Sequence, residues 1–190
     1  KNMNLHCTDN SWPFEMLGTA SRLVLQNVIL CFDRNFSFSQ GNLFIHDDVV
    51  FTGTSKFSYA STGMMYIQPC STLMFDVGTT FSYSPDLFRP HTAAHRDNVY
   101  MTDQTSRLYL NGCTLTAPDS GMRLMAGSVL FDNSVTVNNL DGAGAGNTDA
   151  AKSIELGSGV VDDDVTTHVL AGARIDVTGY LFDNTAILTT

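Results

Sequence analysis

Lysine is nearly missing from this chain, at Lys1, Lys56 and Lys152 only, and no long stretch rich in Ala, Glu, Lys and Leu appears. That shortage removes the usual material of long helices. Basic residues are scarce altogether: ten against nineteen acidic ones give a net charge of −9. So strong a negative balance disfavours a nucleic-acid backbone or an anionic membrane as the main partner. No apolar run approaches the length that spans a bilayer. The four cysteines, Cys7, Cys31, Cys70 and Cys113, form no C-x-x-C pair, which removes the familiar zinc and thioredoxin patterns. They are read mainly as small buried residues, with a disulfide at Cys7 as the alternative. The chain opens on KNMN, with neither an initiator Met nor an apolar leader, and is read as a mature product or a piece of something longer.

Gly, Ser, Thr and Asn are plentiful, and the chain is 43% hydrophobic with 15% charged residues, which fits a folded, strand-rich protein. One aromatic phrase returns: FSFS at Phe36, FSYA at Phe57 and FSYS at Phe81, at separations of 21 and 24 residues. A recurrence in that range marks a repeat architecture. What precedes each copy repeats as well. RLVLQN and VILCFD lead into the first, NLFIHD and DVVFTGTS into the second, MMYIQP and CSTLMFDVG into the third. Each unit therefore holds three short alternating segments divided by turn formers.

The apolar positions align between units. Leu23 and Leu25 fall with Leu43 and Ile45 and with Met65 and Ile67. Leu30 and Phe32 fall with Val49 and Phe51 and with Leu73 and Phe75. Phe36 and Phe38 fall with Phe57 and Tyr59 and with Phe81 and Tyr83. Since alternate residues of a strand face one way, these sets predict inward columns, with rings stacked at the strand spacing of about 4.8 Å. Met64, Met65, Met74, Met122 and Met125 read as core fillers. The second half keeps the grammar: SRLYL from Ser106 echoes SRLVL from Ser21, Cys113 falls where Cys70 does, and Phe-Asp recurs at Phe32, Phe75, Phe131 and Phe182.

Two segments interrupt the rhythm. One spans about 85–105 and carries Arg89, His91, His95 and Arg96; the other spans about 138–150 and includes Asp141, Asn147 and Asp149. Loops that leave a repeat body are where binding usually resides, so these seven are the candidate contact residues. Residues 1–20, with Trp12 and Phe14, do not fit the period and read as a cap or flap on a single domain, 21–190. Leu181 and Ile187 lie in a C-terminal stretch, ending TAILTT, that still reads as strand and offers no comparable cap. Trp12, Phe14, Leu181 and Ile187 are the candidate assembly residues.

From Ser21 onward this pattern resembles the right-handed parallel β-helix, a β-solenoid found in pectin-lyase-like proteins, autotransporter passengers and phage tailspikes. The resemblance implies an all-β fold with three strands per coil of about 22 residues and roughly eight coils. It also implies a rigid rod with open ends, frequently extracellular, sometimes a carbohydrate-cleaving enzyme and often an adhesin or fibre.

Chemistry is harder to find. Asn147-Thr148-Asp149, the run Asp162 to Asp164, His168 and Arg174-Ile175-Asp176 follow an order similar to that of polygalacturonase-like enzymes, where paired carboxylates cleave a glycosidic bond. Here the histidine lacks its flanking glycines and Asp176 replaces the lysine, so solvated turn acids are the preferred reading. DGAGAGNTD from Asp141 resembles one glycine-rich calcium loop, yet such loops come in tandem. His91 and His95 have helical zinc spacing, but Pro90 and the lack of a third ligand favour a surface loop. His46-Asp47-Asp48 reads as an exposed turn. No catalytic, cofactor or metal set is assigned.

The expectation is a non-catalytic structural or cell-surface protein, extracellular, that stacks end to end with copies of itself or continues in a longer chain. A polysaccharide-cleaving enzyme and an adhesin-like module with a carbohydrate or cell-surface ligand are the alternatives.

Overall fold

Short alternating segments with β-branched and aromatic residues become strands throughout. The computed structural model describes residues 3–7, 18–85, 97–117, 122–139, 154–156, 165–178 and 187–189, and every regular element among them is a β-strand. In chain order these are β1 (Met3–Cys7), β2 (Arg22–Phe32), β3 (Phe36–Phe38), β4 (Asn42–Gly53), β5 (Lys56–Tyr59), β6 (Met65–Ile67), β7 (Thr72–Phe75), β8 (Thr80–Tyr83) and β9 (Val99–Met101). The second half adds β10 (Arg107–Asn111), β11 (Thr114–Ala117), β12 (Met122–Leu124), β13 (Gly127–Asp132), β14 (Ser134–Asn139), β15 (Ile154–Leu156), β16 (Val165–Val169), β17 (Arg174–Thr178) and β18 (Ile187–Thr189). No helix among the described residues is long and apolar enough to cross a membrane.

All-β is correct, but the right-handed parallel β-helix with three strands in each of about eight coils is not what is observed. The strands divide unequally, into a ten-stranded sheet, a six-stranded sheet and a two-stranded remnant. The long sheet runs β1-β2-β4-β7-β10-β13-β16-β18, with β6 attached to β4 and β9 to β6; the second runs β17-β14-β11-β8-β5-β3; β12 pairs with β15 alone. Among the described residues, then, there are no three equivalent walls. The reason lies at the first joint of each unit. In β2 the joint is the single left-handed residue Asn27 (φ 48°), which faces the two residues Asp47 and Asp48 of a bulge in β4 and lets the strand run on. Asp47 (φ 55°) does the same in β4, so that first and second segments share one sheet. Where the joint lengthens to Gln68–Ser71, with Pro69 and the left-handed Cys70 (φ 56°), the strand breaks and the sheet forks, and the units that follow keep the break, between β9 and β10 and between β12 and β13.

All the ladders are parallel, and their register tests the expected columns. Leu23↔Leu43↔Met65 and Leu25↔Ile45↔Ile67 hold. So do Phe36↔Phe57↔Phe81 and Phe38↔Tyr59↔Tyr83. The middle column is displaced by two residues at its start: Val28 and Leu30, not Leu30 and Phe32, oppose Val49 and Phe51. Phe32 instead faces Gly53, whose missing side chain is required because a Cβ there would lie 2.5 Å from the Phe32 carbonyl oxygen. Cys113 does not fall with Cys70: Cys70 precedes β7, whereas the residue after Cys113 pairs with Thr80 of β8. Likewise SRLYL echoes SRLVL from a different column, since Leu108 sits opposite Leu73 and Val129 while Leu23 sits opposite Leu43.

One continuous core lies between the inner faces of the sheets. Phe75 of the long sheet stacks on Phe81 of the shorter one at 4.3 Å and meets Phe51 edge-on at 5.2 Å, so rings tie the two walls together. Along the ladder, Phe36–Phe57 and Phe57–Phe81 centroids are 5.9 and 6.1 Å apart. That exceeds the strand spacing because stacked rings slide off centre, as their quadrupoles prefer. Full burial of each such ring contributes about 1.5–3 kcal/mol. Among the methionines, Met65 and Met122 are in this core, while Met64, Met74 and Met125 are only half-buried.

Candidate functional site: the outer face of the long sheet

Most residues singled out from sequence lie outside the described part of the chain: Arg89, His91, His95, Arg96, Asp141, Asn147, Asp149, Trp12, Phe14 and Leu181, together with Asp162 to Asp164. Ile187 is described in its backbone and pairs with Thr166 at the start of β18. From the segment expected to interrupt the rhythm at 85–105, Val99–Met101 is strand β9, in register with β6. His168 is exposed on β16. Arg174 and Asp176 hold one another at 2.9 Å on the surface of β17. His46-Asp47-Asp48 is not a turn between strands but the bulge inside β4. There the Asp47 amide donates to Ser71 Oγ (2.9 Å) and its carboxylate accepts from Gln26 Nε2 (3.0 Å). Among the described residues, no three His, Cys, Asp or Glu side chains converge on a point where a metal could sit.

What the sequence reading overlooked is the reverse side of its own alignment. If Leu43 and Ile45 face inward, Phe44 between them must face out, and so must Tyr66 and Tyr100 in the strands that follow. Register brings Val24, Phe44, Tyr66 and Tyr100 into one stripe. Phe44 and Tyr66 stack at 4.8 Å, and Tyr100 stands nearly perpendicular to Tyr66 (76°) at 5.9 Å. The Arg22 guanidinium lies 5.6 Å above the Phe44 ring, a cation–π contact that closes one end of the stack. Val24 is 55% exposed and Tyr100 41%. A second outward stripe on the same sheet consists of Ile29, Val50, Met74, Tyr109 and Leu130, all half-buried. Beside the stripe of rings, Arg123 of β12 forms a two-pronged ion pair with Asp97, Nε to Oδ1 at 2.6 Å and Nη2 to Oδ2.

A polar ladder runs along the corner between the two large sheets. Asn133 Nδ2 donates to Asn111 Oδ1 (2.6 Å), Asn111 Nδ2 donates to Asp76 Oδ1 (2.7 Å), and Thr52 Oγ1 donates to Asp76 Oδ2 (3.4 Å). The Tyr109 hydroxyl donates to Asp132 Oδ2 at 2.7 Å, and that bond to a carboxylate pushes the phenol up from its ordinary pKa. At the other corner Asp103 accepts from the hydroxyl and amide of Thr105, which holds its carboxyl below the usual range. These groups fasten turns rather than face one another across a cleft. Among the described cysteine side chains, Cys31, Cys70 and Cys113 are free thiols; Cys31 is half-buried, Cys70 exposed and Cys113 buried as expected, while the Cys7 side chain, and with it the alternative of a disulfide there, lies outside the described residues. Desolvation pushes the Cys113 thiol up to about 12.

A surface of this kind can stack against rings or apolar groups and can hold a partner. No known protein family, curated protein or solved structure matches the chain.

Proposed function

We propose that the chain is a non-catalytic structural protein of the cell surface or extracellular space, which assembles end to end with its own copies or with a continuation of the same chain. The observation that carries this reading is where the core columns run out. Among the described residues, Leu43, Ile45 and Val135 are fully buried, yet their in-register neighbours Leu23, Leu25 and Ile175 are only half-buried. Apolar column ends beside strand edges are a template for another strand layer. Contacts between unlike ends produce filaments when no rotation closes a ring. Sedimentation velocity and negative-stain microscopy over a concentration series test it: particles that lengthen with concentration, and shorten when Leu23 and Leu25 are both changed to Lys, are expected. A folded protein that stays monomeric at the highest concentration overturns it.

A second reading, an adhesin-like binding module, is favoured by the outward rings at Phe44, Tyr66 and Tyr100, because exposed apolar patches are characteristic of contact surfaces. Exposed aromatic rings also suit the apolar faces of sugars. Affinity electrophoresis through polysaccharide gels tests it. Retardation lost in Tyr66→Ala with unchanged circular dichroism supports the module, and unretarded wild-type protein in every gel removes it.

A further inference from the structure

Asn111 and Gly112 form the one Asn-Gly step in the sequence. In an unstructured chain this dipeptide modifies itself, because glycine has no side chain to hinder its nitrogen from reaching the preceding carboxamide carbon. Here two structural demands coincide to put it at one corner. The ladder needs a carboxamide at 111 that accepts from Asn133 and donates to Asp76. The turn favours glycine at 112, where φ is +57° and a Cβ would lie 3.1 Å from Val77 Cγ2. Neighbouring layers escape the combination: Val77 precedes Gly78, Ala171 precedes Gly172, and Asn133 itself takes the left-handed conformation (φ 54°).

We propose that Asn111–Gly112 is a self-modification site held silent by the fold, and that it reacts when this corner opens. In the reaction the Gly112 amide nitrogen loses its proton and attacks Asn111 Cγ. The bond from Cγ to Nδ2 breaks and ammonia leaves with the proton. Solvent water then opens the cyclic imide to aspartate or isoaspartate, with no change of oxidation state. In the folded chain every participant is occupied. The Gly112 N–H donates to the Asp132 carbonyl at 2.9 Å, and both ends of the Asn111 carboxamide are bonded, at 2.6 and 2.7 Å. The product cannot return to this arrangement. A carboxylate at 111 has no N–H for Asp76, so two acids face each other where a hydrogen bond stood. A molecule that has once opened here is marked and its corner is left weaker.

The test is peptide mass spectrometry of the tryptic fragment 108–123, after incubation of the intact chain at neutral pH, folded and in urea. Conversion of Asn111 is expected in urea and nearly absent in buffer. Asn133→Ala should raise the folded-state rate by roughly two- to tenfold, the range by which losing one hydrogen bond shifts a local opening equilibrium. If that variant fails to fold, wild-type protein in a sub-denaturing urea series replaces it, where conversion should rise in parallel with hydrogen exchange of the Gly112 amide. Equal rates in folded and unfolded chain overturn the proposal. So does a folded-state rate that ignores both the Asn133 substitution and the opening of Gly112.

Discussion

The two large sheets share one core yet differ on their outward faces. On the six-stranded sheet the outward positions Ser37, Ser58, Ser82, Thr116 and Asn138 form a register of small polar side chains. On the ten-stranded sheet the corresponding stripes are Val24, Phe44, Tyr66 and Tyr100, and Ile29, Val50, Met74, Tyr109 and Leu130. Both sheets alternate on either side of the bulges, so the core demands neither outcome. Alternation decides which residues face inward and leaves the outward ones free, and only one sheet uses that freedom for aromatic and aliphatic bulk. The difference separates what holds the protein together from what it offers to others.

The largest effect should come from the inner walls, where the sheets do not differ. Phe75 touches Phe51 in its own sheet and Phe81 in the other. Phe75→Ala is expected to lower unfolding stability by about 3–5 kcal/mol in urea titrations. A loss below about 1 kcal/mol would mean that the sheets do not share a core. Next in size are the corners that join them. Gly53→Ala would press a methyl group to 2.5 Å from the Phe32 carbonyl oxygen at φ +108°, whereas at Gly172 (φ +83°) no described residue lies within 4 Å. The second substitution should cost about 1–2 kcal/mol, the left-handed strain alone, and the first clearly more. Equal values would show that the corner at Gly53 gives way freely.

How much of this was legible beforehand follows the same division. The inward columns could be read because Phe36, Phe57 and Phe81 repeat in kind as well as in spacing. The division into sheets could not, because it depends on whether a joint residue takes a left-handed φ inside a continuing strand, as Asn27 and Asp47 do, or ends the strand, as at Pro69-Cys70. Asn and Asp serve turns and bulges alike, so residue type leaves both outcomes open. The displaced Phe32 came from the same cause, since the bulge opposite Asn27 changes which residue meets Val49. The outward rings follow from the same alternation: Phe44 lies between Leu43 and Ile45, and Tyr66 between Met65 and Ile67.

Inside and outside should also separate by pH. Cys113 is buried, with its thiol pushed from 9.0 up to about 12, while Cys70 is exposed. A folded pKa above the unfolded one means that stability is whole below the unfolded value and is lost as pH climbs toward the folded one. Between about pH 9 and 12, then, Cys113 should cost on the order of 1 kcal/mol for each unit of rise. Denaturant titrations at pH 8, 9 and 10 check this. Cys113→Ala should flatten the decline; a decline that survives this substitution in full would place the sensitive group elsewhere.

The smallest effect tests the outer faces directly. Tyr66 stacks on Phe44 and meets the edge of Tyr100, contacts of a kind that contribute about 0.5–1.5 kcal/mol beyond area burial. Ser58, its counterpart on the other sheet, lies between Ser37 and Ser82. Tyr66→Ala should therefore destabilise by about 1 kcal/mol, and Ser58→Ala should stay within about 0.5 kcal/mol of wild type. Thermal melts of the two variants side by side give the answer. If both are silent, the rings rest on the sheet without stabilising it, and their retention there depends on a partner alone. If Ser58→Ala costs as much as Tyr66→Ala, the polar face is as tightly built as the apolar one, and the contrast between the sheets is chemical rather than energetic.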